Sequence, residues 1–352
     1  MGSYTGASKG KVLVTGGSGF IASHIIDSLL DYGFEVITTA RSEEKGRRII
    51  ESAKPAQQSN ISFAIVEDVA KEGAFDTLLT SDPTIDYVIH TASPYHLDVQ
   101  DPIKEFLDPA IKGTIGLLQS IKTYAPNVKR VVITSSSAAI INPLNHAKVY
   151  DETCWAPWTW EDAQDPSRAY VVSKTLSEKG AWTFMATQHP PFSLVVINCT
   201  FTFGPLQRRL PSLSSMNTSN HRIRDIVLGR YASGLPPTQP PVFTFVDVRD
   251  VALSHLRALT VPEAAGKRFY VVGGHLSNQR IADVVRSAHP ELALLPPADG
   301  EDDFPTEENG GKGFMFDNSR SREVLGLEYI GLEKCVLDTV ESILRMKEEG
   351  LS

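Results

Sequence analysis

Short apolar runs alternate with longer amphipathic stretches through the first half of the chain. The runs read as strands at 11–15 (Lys-Val-Leu-Val-Thr), 34–39, 61–66, 86–91, 129–134 and 192–198. They are rich in β-branched residues and nearly unbroken by polar ones, as expected of strands covered on both faces. Between them, helical spacing of apolar positions predicts helices over 19–32, 43–53, 102–125, 167–188 and 248–259. This alternation predicts an α/β architecture, a parallel sheet with helices on both sides.

The alternation weakens after Asn198. Residues 204–241 carry prolines and serines around one helical stretch, 216–230, while 242–246 and 269–272 read as strands. A tail of mixed helix and acidic loop runs from 275 to 352, with 299–309 its most loop-like part. The expected division is a sheet domain over 1–198, to which 242–272 returns, and a smaller domain built from 199–241 and 273–352.

Composition narrows the function classes. The 352 residues are 41% hydrophobic and 22% charged, ordinary for a globular protein with a real core. A net charge of −8 argues against nucleic-acid and anionic-membrane partners. Cys154, Cys199 and Cys335 are too few and too scattered for a disulfide framework or a zinc site, so reduced thiols and a cytoplasmic location are expected. No apolar signal core or bilayer-length run follows the polar N-terminus, and Gly6 stands where a myristoylation pattern wants a hydroxyl residue. His90 and His96, with Asp98 nearby, have poor metal spacing, and packed or solvated histidines are expected there. Trp155, Trp158 and Trp160 precede the helix at 167–188, either walling a cleft or anchoring a loop. Asp247, Arg249 and Asp250 read as a structural network at a helix start, with Asp247 as its cap.

Two segments carry chemistry. The first strand runs into Gly16-Gly-Ser-Gly19-Phe20-Ile21-Ala22, and a helix follows. Small residues between strand and helix let the backbone approach a pyrophosphate, whose charge then sits on the helix N-terminus. The alternative is a glycine turn that only connects elements. An NAD site carries an acidic residue roughly 20 positions past the glycines to hold the ribose 2′-hydroxyl. Here the second strand ends in Thr39-Ala-Arg41-Ser42 with Lys45 beyond. A guanidinium and an ammonium suit a 2′-phosphate, so NADPH is expected, the alternative being two solvated charges. Asp68 and Val69, after the third strand, are placed to meet an adenine, although Asp68 could equally cap the next helix. Thr91, Ala92 and Ser93, after the fourth, are small enough for close approach to a cofactor, the alternative being a plain strand-end turn.

The second segment is Ser167-Arg-Ala-Tyr170-Val-Val-Ser-Lys174. A spacing of four puts Tyr170 and Lys174 on one helix face, one turn apart. A phenol with a pKa near about 10 is a poor proton donor at neutral pH, and a neighbouring ammonium favours its phenolate. Such a tyrosine can hand a proton to a carbonyl oxygen as hydride reaches the carbon. The fifth strand ends in Thr134-Ser-Ser-Ser137, on the side of a parallel sheet that faces a cofactor crevice. Any of the three serines could orient a carbonyl, and any could be a cap or turn former.

On these segments, with His90–Pro94, Pro109–Thr114, Phe203–Pro205 and Phe245–Asp250, the chain resembles the extended short-chain dehydrogenase/reductases from about residue 11 to 345. Within them it is similar to the dihydroflavonol-reductase-like group, and most of all to fungal NADPH-dependent ketone and methylglyoxal reductases. The resemblance implies a Rossmann-type doubly wound parallel sheet with a smaller C-terminal substrate-binding domain. It implies Ser136, Tyr170 and Lys174 as the catalytic triad, Arg41 and Lys45 as 2′-phosphate contacts, and Lys174 also on the nicotinamide ribose. Tyr95, Ile141, Ser167 and Thr200 then fall in the substrate pocket. The state expected from the resemblance is monomer or homodimer. One departure is Asn198-Cys199, where the family usually has proline after the asparagine; Cys199 reads as a small buried filler. The expected activity is NADPH-dependent reduction of an aldehyde or ketone. The alternatives are a sugar-nucleotide epimerase or dehydratase, against which the missing acid after the second strand argues, and a non-catalytic dinucleotide sensor, which would usually lack the tyrosine or lysine.

Overall fold

The computed structural model describes residues 8–92, 101–206, 210, 212–238, 243–292, 295–296, 302, 304 and 313–351. Seven parallel strands form the main sheet: β1 (Lys11–Thr15), β2 (Glu35–Ala40), β3 (Ile61–Ile65), β4 (Tyr87–His90), β5 (Arg130–Ser136), β7 (Ser193–Cys199) and β10 (Arg268–Val271). Their order is β10-β7-β5-β4-β1-β2-β3. Strand order therefore reverses beside β1, where β4 lies on one side and β2 on the other, and in such sheets a crevice opens at the carboxyl ends of these strands. The central strands are buried almost throughout, with Val12, Leu13, Val14, Val131 and Val132 fully covered.

Helices cover both faces. On one face, α1 (Phe20–Tyr32), α2 (Glu43–Ser52), α7 (Val248–Thr260) and α9 (Ser319–Leu325) bury Ile25, Leu29, Ile49, Val251 and Leu325 in one core. On the other, α3 (Asp76–Ser81), α4 (Asp108–Tyr124) and α5 (Ala169–Gln188) bury Leu79, Leu117, Ile121 and Phe184. The helix expected over 102–125 opens with a wider, π-helical turn at Ile103–Leu107 before α4.

A third core joins α6 (His221–Val227), α8 (Asn278–Ala288) and α10 (Leu332–Glu348) through Ile226, Ile281, Val336 and Val340. Beside it lies a small sheet in which β9 (Thr244–Asp247) pairs parallel with β8 (Phe201–Phe203) and antiparallel with β11 (Gly274–His275). The structure thus places Thr244–Asp247 in this smaller sheet, because the Phe245 ring packs into the third core; α7 and β10 make the return to the large sheet. Val242 lies outside the described residues. The helix expected over 216–230 is confined to α6. Asn220 ties its entrance to Gly204, donating to that carbonyl at 3.0 Å and accepting its amide at 3.3 Å. A two-stranded parallel pair, β6 (Val149–Tyr150) with β12 (Met315–Phe316), completes the sheets. Among the described residues no helix is long and apolar enough to cross a membrane.

Candidate active site

A cavity of about 880 Å³ opens at the carboxyl ends of the central strands. The turn after β1 forms one wall. Gly16 has φ +72°, and a Cβ there would sit 3.1 Å from the Ala92 backbone. Gly17 lies against β2, where a Cβ would come within 2.0 Å of Thr38 Oγ1. The turn is tied to β2 by Gly16 N donating to Thr39 Oγ1 at 3.0 Å and Gly17 N to the Thr39 carbonyl at 3.1 Å. Helix α1 begins at Gly19 with no side-chain cap and no acid in its first turn. Its first amides, at Phe20, Ile21 and Ala22, thus reach the cavity wall with a positive helix end and no competing carboxylate. This cradle fits a pyrophosphate.

Arg41 and Lys45 line the same cavity. Their neighbours on α2 are paired with the acids one turn back, Arg47 with Glu43 at 3.1 Å and Arg48 with Glu44. Arg41 and Lys45 make no ion pair among the described residues. Ser42 caps α2 by accepting the Lys45 amide at 3.3 Å, which fixes the turn between the two basic side chains. Asp68 and Val69 also line the cavity. Asp68 does not cap the next helix, which begins at Asp76; its Oδ1 accepts the Ala70 amide at 2.8 Å and closes a local turn instead.

At the floor, Thr15 Oγ1 accepts the Thr91 and Ala92 amides at 3.2 Å each and so donates its proton to His90 Nδ1 at 2.8 Å. His90 is therefore a neutral ring with its own proton on Nε2. Burial, reinforced by the Lys174 charge, pushes its pKa down to about 3. Thr91 and Ala92 line the cavity. Ser93, Tyr95, His96 and Asp98 lie outside the described residues.

Ser136 ends β5, and Tyr170 and Lys174 project from one face of α5; all three line the cavity. The structure separates the three serines. Ser135 gives its hydroxyl to Glu178 Oε2. Ser136 Oγ accepts the Ala138 amide at 3.2 Å, which leaves its proton available to the cavity. Ser137 opens the short turn that follows, its carbonyl accepting the Ile140 and Ile141 amides at 2.9 and 2.8 Å. Lys174 Nζ lies 5.9 Å from the centre of the Tyr170 ring, and Phe106 packs edge-on to that ring at 6.3 Å. Burial holds the Lys174 ammonium below the usual lysine range, opposed by the Cys199 thiol and the Glu178 carboxylate.

Ile141 and Thr200 line the cavity, and Thr200 Oγ1 donates to the Thr244 carbonyl at 2.9 Å. Ser167 does not line it. It is exposed, and both its amide and its hydroxyl turn back to Asp165, at 3.0 and 2.7 Å, in the turn before α5. Cys199 is buried on the cavity wall, with Sγ 3.6 Å from the Ser135 carbonyl. It continues β7 in register with Ser136 and Val271, a ladder position where proline would lack the donor N–H. The tryptophans part company: Trp158 is buried on the cavity wall, while Trp160 is exposed and Trp155 stacks over Arg268 at 3.7 Å. Asp247 caps α7 by accepting the Arg249 amide at 2.8 Å. Pro143 and Met216 also line the cavity and were not legible as such, since their loops carry no periodic signal, and Val171 joins them from the first turn of α5.

Comparisons with known proteins agree with this geometry. The model of the family described as NAD dependent epimerase/dehydratase matches residues 12–273. The chain is 52% identical over 335 residues to the ketoreductase azaE of Aspergillus niger, covering 95% of this chain and 97% of that one. It is 34% identical over 347 residues to the NADPH-dependent methylglyoxal reductase GRE2 of Saccharomyces cerevisiae, covering 96% and 98%. The crystal structure of yeast methylglyoxal/isovaleraldehyde reductase Gre2 complexed with NADPH superposes with a TM-score of 0.87 at 33% identity, over 97% of this chain and 100% of that one.

Proposed function

Because the chain belongs to the NAD dependent epimerase/dehydratase family, we propose that it reduces a neutral aldehyde or ketone to the alcohol with NADPH. One observation carries the reading: Ser136, Tyr170 and Lys174 share a single cavity with the glycine turn, Arg41 and Lys45. The ketoreductase and NADPH-dependent reductase names of its relatives support it. Gly16, Gly19, Phe20 and Ile21 would receive the pyrophosphate, Arg41 and Lys45 the 2′-phosphate, and Asp68, Val69, Thr91 and Ala92 the rest of the cofactor's path. NADPH, when bound, supplies the hydride.

The chain's own residues handle the oxygen. Ser136 donates a hydrogen bond to it and so orients the carbonyl toward Tyr170. Tyr170 releases its proton to that oxygen as negative charge develops there. Lys174, one turn along, favours the resulting phenolate and would also bind the ribose hydroxyls. Apart from Lys174, the charged lining residues Arg41, Lys45, Glu67 and Asp68 follow β2 and β3, across β1 from β5. Ile141, Pro143, Trp158, Val171 and Met216 supply an apolar lining. A carbonyl compound with a bulky, uncharged body suits that wall. The smaller sheet β8, β9 and β11, with α6, α8 and α10, would roof it. The three unpaired cysteines fit a cytosolic setting. An epimerase acting on sugar nucleotides is disfavoured by Ala40-Arg41 at the end of β2, where an NAD site would carry an acid.

The test is loss of reduced-cofactor absorbance with a panel of ketones, dicarbonyls and aromatic aldehydes, run with NADPH and NADH in parallel. Turnover preferring NADPH is expected. Tyr170→Phe should lose about 10²–10⁴-fold in kcat while still binding NADPH. Turnover near wild type in that variant would sink the mechanism.

A further inference from the structure

Behind the cavity floor lies a buried polar cluster for which the proposed chemistry has no use. Glu178 sits on α5 one turn beyond Lys174, so Tyr170, Lys174 and Glu178 form a ladder along one helix face. It is 1% exposed. Its Oε2 accepts the Ser135 hydroxyl and, at 2.7 Å, Asn198 Nδ2 from β7. Its Oε1 accepts Arg268 Nε from β10 at 2.5 Å and Trp182 Nε1 at 3.4 Å. Asn198 Nδ2 also donates to the Ser136 carbonyl at 3.2 Å. Arg268 is held in turn by the carbonyls of Glu152 and Cys154, each at 2.8 Å.

Resting on the reductase reading above, we infer that Glu178 is a positioning residue for Ser136 and Lys174, acting through Ser135, Asn198 and its own helix. Two physical points lead there. Apolar side chains of similar volume would fill this space at least as stably as a buried ion pair, so packing gives no reason for the charges. The carboxylate also clamps the main chain on both sides of the Ser136 hydroxyl, through the Ser135 side chain and through Asn198 to the Ser136 carbonyl. Helix α5 and the end of β5 are thereby locked in one register, which sets where Ser136 stands relative to Tyr170. Glu178 also supports the charge of Lys174 against desolvation. The groups around Lys174 among the described residues are His90 from β4, neutral as derived above, Cys199 from β7 and Arg268 from β10 behind Glu178. A void of about 10 Å³ between His90, Ser135, Lys174 and Glu178 has room for one water at most, so bulk solvent does not screen the arrangement.

The test compares Glu178→Gln with Arg268→Gln and with the double variant. Each is assayed for kcat, KM, NADPH affinity by fluorescence titration, and the pH profile of kcat. Reduction needs Tyr170 protonated, so activity falls on the alkaline side as the Tyr170–Lys174 pair loses a proton. A carboxylate nearby opposes that loss and a guanidinium favours it. Glu178→Gln should therefore move the alkaline limb to lower pH, and Arg268→Gln should move it to higher pH, each by about half a unit or more. Glu178→Gln should lose about 10–100-fold in kcat through misplacement of Ser136, with KM and NADPH affinity within about threefold of wild type. Should the single variants strand a buried charge and not fold, the double variant removes both charges together and is expected to fold. It should show the same loss of kcat with the limb near its wild-type position. A wild-type kcat in the double variant, or an unmoved limb and unchanged kcat in folded Glu178→Gln, overturns the inference and leaves the cluster a matter of stability. If the wild-type protein turns over no carbonyl with NADPH, the reductase reading itself fails, which the same assay reveals first.

Discussion

Arg41 offers a measurable consequence of the reading. It follows β2 directly, lines the cavity and makes no ion pair among the described residues, whereas Arg47 and Arg48 are held by Glu43 and Glu44. Binding a 2′-phosphate would thus break no existing pair, and the new contact should count in full. A hydrogen bond to a charged group contributes about 1.5–3 kcal/mol, and a fork of two guanidinium donors on a phosphate lies toward the upper end. At about 1.4 kcal/mol per decade, Arg41→Ala should weaken NADPH binding by roughly 10–150-fold. NADH has no phosphate there, so its affinity should stay within about twofold, because little but the charge is lost at an exposed position. Fluorescence titration of both reduced cofactors at about 0.1 M salt measures this directly, and raising the salt should shrink the difference, since exposed charges are screened. An equal loss for both cofactors, or no loss for either, would refute the assignment of Arg41 to the phosphate.

Other expectations follow from the same geometry. Ser136→Ala should lower kcat by about 10²–10³-fold, as removal of an oxyanion donor does, while NADPH affinity is kept and Tm drops modestly through loss of the cap on Ala138. Gly17→Ala would bring a methyl within 2.0 Å of Thr38 Oγ1, which already donates to the Val14 carbonyl at 2.9 Å; relieving the overlap should cost about 1–3 kcal/mol, seen as a lower denaturation midpoint. Asp250 is buried, and its pKa is pushed up to about 6, chiefly by desolvation, although its Oδ2 accepts the Ile330 amide at 2.9 Å. Its folded value exceeds its unfolded one, so the group destabilises fully above pH 6, and that penalty fades as pH falls through 6 toward 4. Asp250→Asn should therefore be the more stable protein at pH 7.5, by at most about 3 kcal/mol, with the gap closing near pH 4. Chemical denaturation at the two pH values checks it, and a gap that widened in acid would contradict the assignment.

Much of this protein was legible in its sequence. Nearly unbroken apolar runs marked six strands of the large sheet, and 269–272 read as the seventh; the central strands, buried on both faces, have no polar side to interrupt them. The strand–glycine–helix junction announced an anion cradle, and the spacing of Tyr170 and Lys174 fixed a shared helix face, since both are properties of local backbone geometry. The resemblance marked Ser136 among three serines, and the hydrogen bonds of Ser135 and Ser136 give that choice a physical basis. What the sequence could not decide depends on contacts between distant elements. Ser167 belonged to the right segment, yet its turn faces Asp165 and solvent. Thr244–Asp247 reads like any buried strand, but which sheet it joins is settled by where the Phe245 ring finds its core. Glu178 had the spacing that extends the Tyr170–Lys174 ladder, but a buried carboxylate gains meaning only from its partners. Those partners, Ser135, Asn198 and Arg268, come from three different strands, 43, 20 and 90 residues away along the chain. Local periodicity determines which elements form and which face each presents; long-range packing and the need to satisfy every buried charge determine which of those faces meet.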